Sequence, residues 1–243
     1  MLDAALEYVA PGREWKIFPC ISGTKRPATP HGLQDATTDP EIIRRWFRNG
    51  RCNIAVATGT GSIDVVDIDV HPDKNGFAAL RRIAAAGLVK DSKAVVRTPS
   101  GGAHLYFRGT QQRNGRLYDH DIDFRGDGGY VLLPPSTVNG NSYRFEEQNW
   151  DRDAEVDWDR IKWFLTPPKP VYPEWDGGRR SLQALVNFTA TQMEGNRNSG
   201  THWAMCRAAE ARESLEPLIQ AAISNGLSEH EVRATARSAQ RAR

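Results

Sequence analysis

Asp67 and Asp69 stand one residue apart inside an apolar run, Val65-Val66-Asp67-Ile68-Asp69-Val70. In a β-strand successive side chains point to opposite faces, so both carboxylates project from one face while Val66, Ile68 and Val70 enter the core behind them. Like charges held that close disfavour each other's ionised form, and a divalent cation would neutralise both. The same six residues read equally well as an edge strand with two solvated aspartates. Further on, Asp121-Ile122-Asp123-Phe124-Arg125 alternates in the same way and puts Asp121, Asp123 and Arg125 on one face, although Asp121 also reads as a turn cap. Two divalent ions roughly 3.5–4 Å apart can activate an attacking hydroxyl and stabilise a leaving pyrophosphate, and they need several carboxylates on a rigid sheet. Asp67, Asp69 and Asp123 supply that number.

Between these carboxylates lies Pro99-Ser100-Gly101-Gly102, followed by His104. Glycine permits close backbone approach, so this turn can bring N–H groups and the Ser100 hydroxyl to phosphate oxygens, and His104 would then aim a ring nitrogen at a triphosphate. Arg97 and Arg125 are placed to counter the same charge. Each feature has an ordinary alternative, since a lone strand histidine is commonly a structural hydrogen bonder and a Gly-Gly pair is commonly only a turn. The combination carries the reading.

The elements that must hold these residues follow from pattern. Leu2 to Val9 predicts a short helix stopped by Pro11-Gly12, and Trp15 to Cys20 a strand. Thr38-Asp39-Pro40-Glu41 is a capping-box signature with Thr38 as N-cap, opening a helix that carries Ile42, Ile43, Trp46 and Phe47. A strand at Asn53 to Ala57 joins the Asp67 strand through Gly59-Thr60-Gly61, most simply a hairpin turn. A helix over 77–86, strands over 94–98, 104–107 and 130–133, and a closing helix over 157–165 complete the pattern. Strands interleaved with few helices and short connections predict an α+β domain with a mostly antiparallel sheet over 1–165.

Residues 166–180, with Pro167, Pro168, Pro170, Gly177 and Gly178, read as a linker. Beyond it, 181–243 predicts a small all-α domain of four helices, the last opened by the capping box Ser228-Glu229-His230-Glu231. The stop on a basic run soon after that helix suggests the front of a longer polypeptide.

With 39% hydrophobic and 26% charged residues among 243, the chain has the composition of a soluble globular protein. It has no signal-peptide pattern and no run long enough to span a membrane, so a cytoplasmic location is expected. Cys20, Cys52 and Cys206 form no Cys-x-x-Cys pair, which argues against a zinc ribbon or a disulfide framework. A net charge of +2 does not by itself imply nucleic acid; residues 179–243 hold nine Lys and Arg against six Asp and Glu, compatible with a phosphate contact or a solvated helix face.

Asp67-Ile68-Asp69, the segment from Arg97 to Phe107, and the segment from Ile122 to Tyr130 ending in Pro134-Pro135-Ser136 resemble the three ordered motifs of the bifunctional primase-polymerase domain of phage and plasmid replication proteins. That family lies within the archaeo-eukaryotic primase superfamily, and the resemblance runs from about Trp15 to Leu165. It implies an RRM-like palm, with Asp67, Asp69 and Asp123 binding two divalent ions, Mg²⁺ or Mn²⁺, and His104 contacting the incoming triphosphate. By position it puts Arg97, Ser100, Gly102, Arg125 and, in its Lys-Arg-Pro loop, Lys25 in the nucleotide site. Gly195-Asn196-Arg197-Asn198 and the helices after it are similar to the helical domain that often follows such palms and helps engage template or first nucleotide; the zinc-binding insertion of some relatives is missing here. The implied partners are single-stranded DNA template and primer, NTP or dNTP, and a helicase domain in the same longer polypeptide, with this chain itself monomeric. The expected activity is template-directed synthesis and extension of primers. A metal-dependent nuclease or phosphohydrolase and a non-catalytic DNA-binding module are the competing readings.

Overall fold

The computed structural model describes residues 1–71, 74–168, 171–173 and 179–241. The chain divides into two compact units, Met1–Ile161 and Lys162–Arg243. Parts of the expected linker, 169–170 and 174–178, and the terminal Arg243 lie outside the described residues.

In chain order the first unit holds α1 (Leu2–Tyr8), β1 (Ile17–Ile21), α2 (Pro40–Phe47), β2 (Cys52–Ala57), β3 (Ile63–Ile68), the short pair β4 (Val70–His71) and β5 (Lys74–Asn75), α3 (Phe77–Ala85), β6 (Ala94–Arg97), β7 (Ala103–Arg108), β8 (Gly115–Leu117), β9 (Ile122–Arg125), β10 (Tyr130–Leu132), the hairpin β11 (Thr137–Val138) and β12 (Asn141–Ser142), and β13 (Arg144–Gln148). α4 (Trp158–Leu165) crosses into the second unit. A six-stranded sheet runs β13-β6-β7-β3-β9-β8, and a three-stranded sheet runs β1-β2-β10. The ladders within both sheets are antiparallel.

The Gly59-Thr60-Gly61 connection is not a hairpin. β2 pairs with β1 and β10, and β3 with β7 and β9, so the link carries the chain from one sheet to the other. All six residues of β3 are buried, and a strand hidden on both faces belongs in the middle of a sheet with both of its edges already taken. Gly59 is required there, because its φ is +104° and a Cβ would stand 2.6 Å from Asp127 Cα.

Ile63 and Val65 on β3, Val96 on β6 and Tyr106 on β7 face the three-stranded sheet and share one core with Ile17, Ile54 and Val56. Alternation turns Val66, Ile68, Phe107 and Phe124 to the opposite face, where Trp158 of α4 stacks on Phe124 with ring centroids 5.3 Å apart. On that second face Asp64 is fully buried, and its Oδ2 accepts from Thr110 N and Oγ1 at 3.1 and 2.6 Å. Burial pushes its carboxyl up to about 6, against the pull of the Thr110 bonds. A raised carboxylate contributes stability that is whole below its unfolded value near 4 and lost as pH climbs through 6. Melts of Asp64→Asn and wild type should therefore give a Tm difference, variant minus parent, that grows between pH 4 and pH 7; a constant difference would show that Asp64 does not titrate in this window.

The α2 cap also differs from expectation. Asp39, not Thr38, caps the helix, its side chain accepting from Glu41 N and Ile42 N with Pro40 in the first turn. The capping box at Ser228 is present as read: Ser228 Oγ donates to Glu231 Oε2 at 2.7 Å and accepts from Glu231 N at 3.3 Å.

The described part of the second unit contains α5 (Arg179–Ala190), α6 (Arg197–Glu210), α7 (Glu216–Ser224) and α8 (Glu229–Arg241), packed around Leu185, Met205, Leu218 and Val232. Among the described residues no helix is long and apolar enough to cross a membrane.

Candidate active site

The central strand β3 organises the site. Asp67 is directly opposite His104 on β7 and directly opposite Asp123 on β9, so one carboxylate is flanked across both ladders by an imidazole and a second carboxylate on the same face. All three side chains are buried, at 7%, 2% and 3% exposure. His104 Nε2 lies 3.4 Å from Asp67 Oδ1. Asp123 is met by two arginines: Arg125 Nη2 donates to Oδ2 at 2.6 Å, and Arg116 Nε stands 3.1 Å from Oδ1.

Asp69 lies just beyond the end of β3. Its amide donates to Asp121 O at 2.9 Å and its carbonyl accepts from Gly76 N at 3.0 Å, which fixes the backbone where the ladder stops. Asp121 itself adopts a left-handed conformation, φ 50°, ahead of β9, so it serves as the turn. Burial raises the Asp69 carboxyl, and the Asp67 charge adds to the rise against His71, Lys25 and Arg116. Asp123 is raised by burial as well, opposed by Arg125 and Arg116 and reinforced by Asp69 and Asp67. For Asp67, burial is outweighed by the charge and hydrogen bond of His104, with Lys25 and Arg125, and the net direction is down. The three carboxylates thus repel one another inside a ring of cations.

A cavity of about 280 Å³ opens over Asp67 and His104, lined also by Lys25, Asn114, Arg125, Gly128, Gly129, Tyr130 and Tyr143. A smaller one of about 150 Å³ shares Lys25 and Tyr143 and is walled by Pro99, Ser100, Asn139 and Asn141. Lys25 and Ser100 therefore meet the site from the walls. The other two expected nucleotide residues are not brought there. Arg97 pairs with Ala103, which puts it on the face opposite His104, with its guanidinium 3.9 Å from Glu146 and over the Phe77 ring. Gly102 has a packing reason instead, because a Cβ there would stand 2.1 Å from Ile68 O. Within the turn, Gly101 N donates to Thr98 O and Thr98 N to Gly102 O, so these two N–H groups close the turn itself.

Sequence reasoning missed Arg116, Asn114 and Tyr143. Arg116 sits on the three-residue edge strand β8 opposite Asp123, too short a strand to reveal a period. Asn114 Oδ1 accepts from Gly126 N at 3.0 Å and stiffens the glycine loop that floors the cavity. Tyr143 is fully covered beside His104, with ring centroids 5.5 Å apart.

Three carboxylates offer hard oxygen donors of the kind Mg²⁺ and Mn²⁺ take. Asp123 Oδ1 is buried without a hydrogen bond, as is His104 Nδ1, so acceptor capacity is left over. Among the described residues, however, no three His, Cys, Asp or Glu side chains are grouped to hold a metal ion, the Asp123 oxygens being turned toward Arg116 and Arg125.

One sheet face thus carries clustered carboxylates and a histidine beside a basic rim. Residues 5–175, well over half of the chain, match the family described as bifunctional DNA primase/polymerase, N-terminal, and the chain belongs to that family. Its function is accordingly primase/polymerase-like, of the nucleotidyltransferase type. No curated protein sequence matches it. Among solved structures, a crystal structure of primase RepB′ aligns over 98% of this chain and 94% of that chain, with 10% identity and a TM-score of 0.36.

Proposed function

We propose that the chain carries out template-directed nucleotidyl transfer, making primers de novo on single-stranded DNA and extending them, on an RRM-like palm followed by a helical domain that aids template or first-nucleotide engagement. A 3′-hydroxyl attacks the α-phosphate of an incoming NTP or dNTP; the new P–O bond forms as the α–β bridging bond breaks and pyrophosphate leaves. The observation that carries this reading is the register of β3, which sets Asp67 between His104 and Asp123 beneath a cavity rimmed by Lys25 and Arg125. Divalent ions, Mg²⁺ or Mn²⁺, would be held by Asp67, Asp69 and Asp123, and would there supply positive charge to activate a hydroxyl and offset a leaving pyrophosphate. Lys25 and Arg125 bring positive charge to the triphosphate, with Ser100 adding a hydroxyl from the neighbouring wall. His104 donates to a phosphate oxygen while Asp67 holds the ring. A helicase domain in a longer polypeptide would supply the opened template.

Incubation with unprimed single-stranded DNA, Mg²⁺ or Mn²⁺ and each labelled nucleotide set tests this directly. Growing products are expected; shortened DNA would indicate a nuclease, and metal-independent binding without turnover a DNA-binding module. His104→Ala is expected to raise the nucleotide KM about ten- to a hundredfold, the size of one charge-assisted hydrogen bond, with a smaller effect on kcat. An unchanged KM would remove His104 from the triphosphate.

A further inference from the structure

A buried carboxamide outside the carboxylate cluster grips two walls of the site at once. Asn53 on β2 is 1% exposed. Its Nδ2 donates to the carbonyls of Thr24 at 2.9 Å and Thr137 at 2.7 Å, and its Oδ1 accepts from Thr137 N at 3.0 Å. Thr24 immediately precedes Lys25, and Thr137 opens the β11–β12 hairpin that walls the smaller cavity. Both amide protons and the amide oxygen are thus spent on main-chain groups of two separate loops, an arrangement that needs a side chain with donors and an acceptor together. Aspartate would lack the donors and an apolar residue both. From β10, the Tyr130 hydroxyl donates to Lys25 O at 3.0 Å, so two successive carbonyls of the loop are held. The Lys25 side chain itself stays exposed. Its backbone is fixed while its ammonium remains available to a charged ligand.

We infer that Asn53 is a positioning residue for nucleotide binding: it touches no substrate, but sets where Lys25 stands against the β11–β12 hairpin. The inference rests on the function proposed above. Asp67 and Asp123 belong to the other sheet and are registered by ladders in which Asn53 takes no part, so loss of the carboxamide should act on binding and leave the chemical step alone. A residue that only stabilised the fold would lower Tm and leave the KM of the folded protein unchanged.

The test uses the full 243-residue chain as wild type, Asn53→Ala, Lys25→Ala and the double variant. Affinity for a fluorescent non-hydrolysable nucleotide is measured by titration, beside KM and kcat on unprimed template and a thermal melt. Asn53→Ala is expected to weaken nucleotide binding about five- to tenfold, the equivalent of one or two hydrogen bonds, with kcat within about twofold. In the Lys25→Ala background the same change should add less than about twofold, because the lysine through which it acts is gone. Wild-type affinity in Asn53→Ala, or the same loss in both backgrounds, overturns the inference. Tyr130→Phe removes the other anchor without opening a cavity and should weaken binding in the same Lys25-dependent way; if Asn53→Ala does not fold, unaltered affinity in Tyr130→Phe overturns it. A wild type that binds nucleotide but incorporates none overturns the proposed function while the binding measurements still decide the role of Asn53. A wild type with no nucleotide affinity overturns both.

Discussion

Asp69→Asn is expected to lower nucleotide incorporation by about a thousandfold or more, the rate equivalent of the several kcal/mol that metal-assisted charge stabilisation supplies, and to leave Tm in EDTA unchanged or higher. The two effects share one cause. Burial and the Asp67 charge hold the folded Asp69 carboxyl above its unfolded value. The stability this group contributes is whole below the unfolded pKa and lost as pH rises through the folded one, so at neutral pH the ionised carboxylate is a cost to the fold. Asparagine keeps the shape and removes the charge. A structural aspartate would behave in the opposite way, losing stability on substitution while activity followed the folded fraction. Retained synthesis in Asp69→Asn would remove this residue from the chemistry, and a marked fall in Tm would show that its charge is compensated in the fold.

Gly102→Ala is expected to cost about 1–3 kcal/mol of stability, the range for overpacked interior positions, and to reduce incorporation well beyond that loss. The added Cβ would stand 2.1 Å from Ile68 O, the carbonyl between Asp67 and Asp69, and a main-chain oxygen cannot swing aside as a flexible side chain would. Relief must come from moving the end of β3, which carries Asp67 and leads directly into Asp69. Gly101→Ala, one residue earlier, is the control. Gly101 has φ +90° and nothing within 4 Å of where a Cβ would stand, so substitution strains the turn without pushing β3. Urea denaturation should find both variants destabilised, while specific activity of the folded fraction falls only in Gly102→Ala. Equal activity losses would favour direct phosphate contact by the turn.

The parts of this site that rest on strand alternation were legible. Asp67 and Asp123 are in strands whose apolar partners declare a face, and knowing the face is enough to bring them together once β3 and β9 pair. The position of Asp69 was legible only in part, since β3 ends at Ile68 and a hydrogen bond to Asp121 O takes over from the ladder. Arg97 shows the limit of proximity along the chain: it is near the turn in sequence, yet its place in the β6–β7 register puts it on the other face. Arg116, Asn114 and Asn53 depend on which distant segments pair, information that local periodicity does not hold. The hairpin expected at Gly59 failed for the same reason, because a short glycine turn does not say whether its two strands share a sheet. Asp39 could have been chosen as the α2 cap, since Pro40 after it suits the first helical position.

Placing β3 between β7 and β9 also has a consequence for how the protein comes to exist in active form. Neither neighbour of β3 in the sheet is its neighbour in the chain, and the cavity draws its lining from Lys25 through to Tyr143. Loop closure over such distances is slow, and folds dominated by non-local pairing typically form on the order of milliseconds to seconds. The cavity is therefore complete only once these distant segments have paired. Without β9, Asp67 and His104 would lack the wall that Arg125 gives the cavity.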